Sequence, residues 1–144
     1  MDAMDFSMDT MDCNNAGGYH GTIQSRFSDQ VNKTPNKLCL RTPATPERAG
    51  WALSYRDLDH WSNSLASRLL SVGVVAGDRV GLCAERSASA IAAMVAIAKI
   101  SACYVPLSPE YPRSRLDLMI EDAAISVAFM ASAAVEVMSG SGLK

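Results

Sequence analysis

From Ser54 to Val72 the chain keeps a helical rhythm. Leu58, Trp61, Leu65, Leu69 and Val72 recur at three- and four-residue steps. That spacing gathers apolar side chains on one helical face and leaves the others polar. Ser54 stands where the helix needs an N-cap. Asp57, three residues on, completes the capping-box pattern. Gly73 follows as a left-handed terminator. Each of these large side chains contributes about 1.5–3 kcal/mol if fully buried.

Weaker patterns flank this helix. Thr22 to Lys33, with Ile23, Phe27, Gln30 and Val31, predicts a short helix ended by Thr34-Pro35. Lys37 to Arg41 and Trp51 to Ser54 read as strands. Between them Thr42 to Gly50, with Pro43, Pro46 and Gly50, reads as a loop or hairpin turn. Gly77-Asp78 turns the chain into a strand from Arg79 to Ala84. Ser87 caps a helix from Ala88 to about Ile100, whose alanines suggest close packing against a sheet. Cys103 to Leu107 is a short apolar strand. Pro112 suits the first turn of a further helix, because its missing N–H is unpaired there anyway. Leu116, Met119, Ile120 and Ala123 give that helix its buried face, and Ile125 to Met130 forms another strand.

Strand–helix–strand–helix–strand with these connections predicts an α/β fold, a partial parallel sheet with crossover helices. Ligands in such sheets sit outside the carboxyl ends of strands. That marks Glu85-Arg86-Ser87 and Ser108-Pro109-Glu110 as the place for a site. The placement names no chemistry, so no catalytic, cofactor-binding or metal residue is assigned.

The ends differ from the middle. Residues 1–20 repeat Met-Asp at Met1, Met4, Met8 and Met11, and end in Asn14-Asn15-Ala16-Gly17-Gly18. The spacing fits a partner-binding stripe on a helix. A disordered acidic leader is the preferred reading, since a short isolated helix is marginal in water. The expected organisation is a leader over 1–20, a globular segment over 21–131 and a flexible tail over 132–144.

Composition narrows the class. The chain has 144 residues, 49% hydrophobic and 19% charged, with a formal net charge of −2. No strong attraction to nucleic acid or acidic membranes follows. The four cysteines, Cys13, Cys39, Cys83 and Cys103, form no Cys-x-x-Cys pair, and only His20 and His60 accompany them. Zinc spacing is lacking, and incidental thiols in a reducing compartment are expected. The longest apolar run, Ala90 to Ala98, is too short to span a bilayer. A cytoplasmic protein is expected.

Ile97 to Asp122 carries a family resemblance. Lys99, Tyr104, Val105, Pro106, Leu107, Pro109, Tyr111, Pro112, Arg115, Leu116, Met119 and Asp122 match a long motif, L-K-A-G-x-A-Y-V-P-L-D-P-x-Y-P-x-E-R-L-x-Y-M-L-x-D. This resembles the second core motif of adenylation domains in the adenylate-forming (AMP-binding) superfamily, nonribosomal peptide synthetases above all. Leu53-Ser54-Tyr55-Arg56-Asp57-Leu58 is similar to the first core motif, L-[TS]-Y-x-E-L. The resemblance spans about Thr22 to Met130. Departures are Ile100 and Ser101 for the family's alanine and glycine, Ser108 for its aspartate and Ser114 for its glutamate. Ser101 is expected to reshape its turn, because glycine there serves close packing or a special backbone angle.

The resemblance implies the first part of the N-terminal subdomain of an adenylate-forming enzyme. It implies ATP-dependent activation of an amino acid as an acyl-adenylate, with ATP and Mg as the full enzyme's cofactors. Neither is expected to bind tightly to this segment. The family's phosphate loop, ending Pro-Lys-Gly, and its C-terminal lysine lie downstream of these residues, so inactivity of the segment alone is expected. Ser139-Gly140-Ser141-Gly142-Leu143-Lys144, after a candidate strand from Val135 to Met138, faintly resembles that loop. It lacks the proline, is shorter and comes early. Expected partners are the remainder of an adenylation domain or a carrier-protein-containing synthetase, with no nucleic acid and no membrane. A noncatalytic interaction module and a nonfunctional gene remnant stay open as alternatives.

Overall fold

The computed structural model describes residues 21–42 and 50–130. The expectations for 1–20, for the loop between the first two strands and for 132–144, with its glycine-rich end, fall outside them. The described elements are α1 (Ile23–Lys33), β1 (Leu38–Thr42), β2 (Trp51–Ser54), α2 (Tyr55–Ser71), β3 (Arg79–Cys83), α3 (Ala88–Lys99), β4 (Cys103–Pro106), α4 (Arg113–Asp122) and β5 (Val127–Met130). β1 and β2 pair as an antiparallel hairpin. β4, β3 and β5 form a parallel sheet in that order, with β3 central.

Helix starts follow local chemistry. The Thr22 and Ser87 hydroxyls accept from the N–H groups of Ser25 and Ala90, both at 3.2 Å. At α2 the capping box is complete: Asp57 N–H donates to Ser54 Oγ, and Ser54 N–H donates to Asp57 Oδ2 at 2.9 Å. Pro112 stands one place earlier than expected. It is the N-cap of α4 rather than a first-turn residue, because its ψ of 144° is extended, and the helix begins at Arg113.

Three helices end in the same way. After α2, Gly73 N–H bonds to Leu70 O and Val74 N–H to Leu69 O. After α3, Ser101 N–H bonds to Ala98 O and Ala102 N–H to Ile97 O. After α4, Ala124 N–H bonds to Glu121 O and Ile125 N–H to Ile120 O. This is the Schellman arrangement, which puts the residue after the cap in left-handed geometry. Those residues are Gly73 at φ +94°, Ser101 at φ +56° and Ala124 at φ +49°. The two non-glycine residues accept a conformation glycine takes without penalty.

The sheet is covered on both faces. Val80 packs with Val74, Ile97 and Val127 on one side. Cys83, on the opposite side of the pleat, packs with Leu107, Leu116 and Ile125. Gly81 is tightly enclosed: a Cβ there would lie 2.9 Å from Leu107 Cδ1 and 3.0 Å from Ala128 Cβ, so these neighbours would have to shift.

α3 packs most extensively on α2, more than on the sheet. The buried line of α2 is Leu58, Ser62 and Ala66, with Leu65 and Leu69 half-buried. Trp61 and Val72 of the expected apolar face are 36% and 46% exposed. Small residues let α2 approach the alanine-rich α3 closely, and the large Trp61 falls on the flank. Ser62 is tolerated in the core because its hydroxyl donates to Asp59 O at 3.0 Å. Lys99, at the end of α3, ties three helices. Its Nζ lies 2.7 Å from Asp59 Oδ1 and 2.6 Å from Asn63 Oδ1 on α2. It also sits 5.4 Å from the centre of the Phe27 ring on α1. No helix among the described residues is long and apolar enough to cross a membrane.

Candidate functional site

The carboxyl ends of β3 and β4 open into a cleft of about 990 Å3. Both segments marked in the sequence line it. The β3–α3 turn supplies Glu85, Arg86 and Ser87, and the β4–α4 turn supplies Ser108, Pro109 and Glu110. The parallel register brings them together, since Leu82 pairs with Pro106 and the next residue of each strand leads into its turn. Leu107 N–H donates to Leu82 O at 2.9 Å, extending the ladder to the cleft edge.

The turn after β4 is stiff for two reasons. Pro106, Pro109 and Pro112 fix φ and push the residues before them toward extended geometry. Hydrogen bonds then close it: Tyr111 N–H donates to Ser108 O at 3.1 Å and Glu110 N–H to Ser108 Oγ at 3.3 Å. Tyr111 is half-buried against the core, with the Arg115 guanidinium 4.2 Å from its ring centre. The serine in place of the family's aspartate thus still closes the turn. Arg113 bonds Asp117 Oδ1 at 2.8 Å along the exposed side of α4.

The cleft also has a wall that sequence reasoning missed. Leu40, Arg41 and Trp51 of the hairpin, with Ile91 and Met94 of α3, close its other side. The hairpin belongs to a separate sheet, so no periodicity pointed to its place. The lining charges are Arg41 and Arg86 against Glu85 and Glu110. At the α3 side, Ser87 Oγ caps the helix and lies 2.9 Å from Ser89 Oγ.

His60 is exposed on α2 and does not line the cleft, nor does any described cysteine. Cys83 is buried and Cys39 half-buried, and burial pushes both thiols up from their ordinary value. Cys103 is exposed on β4. Among the described residues no group of three or more His, Cys, Asp or Glu side chains is placed to hold a metal ion.

Comparison with known proteins agrees on a family. The family model described as AMP-binding enzyme matches residues 27–142. A linear gramicidin synthase of Brevibacillus parabrevis is 39% identical over 105 residues, 73% of this chain and 1% of that protein. The chain therefore spans a very small part of the relative it matches. Among solved structures, IdnL1 superposes with a TM-score of 0.69 at 28% identity, covering 81% of this chain and 24% of that one. The N-terminal subdomain of Klebsiella oxytoca NpsA superposes with a TM-score of 0.67 at 21% identity, covering 78% of this chain and 28% of that one.

Proposed function

The chain belongs to the AMP-binding enzyme family, and from that premise we propose that it forms the first part of the N-terminal subdomain of an amino-acid-activating adenylation domain. In the proposed reaction a substrate carboxylate attacks the α-phosphorus of ATP. A carboxylate-oxygen–phosphorus bond forms, the bond to the β-phosphate oxygen breaks, and pyrophosphate leaves with the electron pair. The acyl group then passes to a thiol, releasing AMP.

One observation carries this reading. The residues matching the long second motif build a single device: strand β4, a proline-stiffened turn lining the cleft, and a helix anchored by Leu116. Tyr111 and Arg115 of the motif stack on one another, and Lys99 of the motif locks α3 to α2. The motif residues thus have physical work to do here, which supports a genuine family match over a chance one.

The part proposed for these residues is to shape and stiffen one wall of the substrate region. The cations and hydrogen-bond donors that stabilise charge developing on phosphate belong, on this reading, to other parts of an adenylation domain. The 144 residues contain no Pro-Lys-Gly loop. ATP and magnesium are accordingly proposed for the complete domain, and partners are the rest of that domain and its synthetase. The test is amino-acid-dependent ATP–pyrophosphate exchange by the purified 144-residue segment, with all twenty amino acids supplied. No exchange above a no-enzyme blank is expected. Clear exchange would overturn the division of labour proposed here.

A further inference from the structure

We propose that α1 is a hinged strap: it opens from the α2–α3 pair as one unit, about the turn at residues 34–37, and is held shut chiefly by the Phe27 ring against Lys99 and Tyr55. The strap lets residues ahead of Ile23 shift while the parallel sheet and the cleft keep their shape.

α1 is lightly anchored. None of its residues is buried, whereas α2, α3 and α4 each bury at least one. Ile23 is 79% exposed. The inner face is Gln24, Phe27, Gln30 and Val31, all half-buried. Two of these four are polar, and the Gln30 amide turns along its own helix to donate to Thr34 Oγ1 at 2.6 Å. The hydroxyls of Thr22 and Ser25 bond within the first turn. Phe27 makes the ring contacts that cross to the other helices. Its centre lies 6.2 Å from that of the Tyr55 ring on α2 and 5.4 Å from Lys99 Nζ on α3.

The catch is built on the body and not on the strap. Lys99 Nζ donates to Asp59 Oδ1 at 2.7 Å, to Asp59 O at 3.2 Å and to Asn63 Oδ1 at 2.6 Å. None of these bonds involves α1, and the Lys99 side chain is only 14% exposed. The ammonium is thus fixed in place, and a fixed, largely desolvated cation attracts the face of a ring.

The hinge is equally local. Thr34 leaves helical geometry at φ −142° and ψ 63°, and Pro35 after it cannot continue the ladder. The turn is pinned to the start of α2, since Tyr55 N–H donates to Lys37 O at 3.1 Å and Arg56 N–H to Pro35 O at 2.9 Å. The pivot therefore stays with the body when the strap swings. No residue of α1 lines the cleft. α3, by contrast, fully buries Ala92, Ala96 and Ile97, so it opens only when the body unfolds. A helix of 11 residues is marginal alone in water, so an opened α1 loses its own ladder and its amides exchange.

The experiment is amide hydrogen exchange on the 144-residue chain, corrected for intrinsic rates. Amides from Phe27 to Lys33 are expected to share one protection factor, at least about tenfold below that of the central α3 amides. Phe27→Leu, which keeps an apolar side chain without a ring face, should lower α1 protection about tenfold more and leave α3 and β3 within about twofold. Phe27→Tyr, which keeps the face, should stay near the parent. Protection in α1 equal to that in α3 would overturn the strap, as would a gradient fading steadily toward Ile23, which is fraying. If Phe27→Leu lowers α1 and α3 together, or changes neither, the latch is overturned.

Discussion

Replacing Ser101 by glycine should stabilise the chain. Ser101 occupies the left-handed position that ends α3, at φ +56°. An L-residue there costs about 1–2 kcal/mol relative to its preferred geometry. Glycine removes that cost but gives back about 0.4–1 kcal/mol through greater freedom in the unfolded chain. The net gain is about 0.8 kcal/mol at the midpoints of these ranges, within limits of about 0–1.6 kcal/mol. The hydrogen bonds at this turn are made by backbone atoms: Ser101 N–H to Ala98 O, Ala102 N–H to Ile97 O, and Gly77 N–H to Ser101 O at 2.8 Å. Ser101→Gly leaves all three in place. For a folded body of this size the gain corresponds to a rise in Tm of about 2–6 °C. Thermal unfolding followed by far-UV circular dichroism reads it, with Ser101→Ala as the control expected near wild type. A Tm for Ser101→Gly that is unchanged or lower would refute the assignment of left-handed strain to this turn.

Other substitutions probe the remaining joints. Gly81→Ala should destabilise by about 1–3 kcal/mol, because its methyl would press on Leu107 and on the fixed Ala128 Cβ; the urea midpoint should fall without a change in slope. Lys99→Met should cost about 1–3 kcal/mol by leaving Asp59 and Asn63 without their cation, and denaturant titration of the double variant with Asp59→Asn should show coupling between the sites. Asp57 has its carboxyl held below the ordinary aspartate value, first by the Ser54 hydroxyl and then by the Ser54 backbone N–H. A depressed folded pKa means that its contribution is fully present above the unfolded value of about 3.9 and is lost as pH falls through the lower folded value. Unfolding midpoints measured from about pH 6 to pH 2 should show Asp57→Asn losing part of the wild-type acid dependence, and identical profiles would refute the linkage.

Legibility followed the range of the interactions involved. Ser54 with Asp57 and Ser87 announced their helices because a cap is settled within three residues, whereas Thr22, read as part of its helix, is the cap before it. Gly73 was readable as a left-handed stop because glycine prefers that geometry. Ala124 at φ +49° gave no such signal, since alanine does not favour the position and the Schellman hydrogen bonds that hold it there carry no marker in the residue itself. Ser101 was flagged only through the family pattern. The buried line of α2 shifted from Trp61 toward Ser62 and Ala66 because helix–helix approach, which one helix's periodicity does not encode, set the contact face. Of the cleft, the two strand-end turns followed from topology, whereas Arg41 and Trp51 arrived by docking of the hairpin, a tertiary event without a local signature.

On the proposed reading these residues are a working wall of an amino-acid-activating domain. Pyrophosphate exchange by a splice of this chain in place of the matched segment of a linear gramicidin synthase adenylation domain, run beside the parent domain and the isolated segment, decides it. Exchange with the parent's amino acid, restored in the splice and absent from the segment, is the predicted result. A folded splice that exchanges with no amino acid would contradict that role.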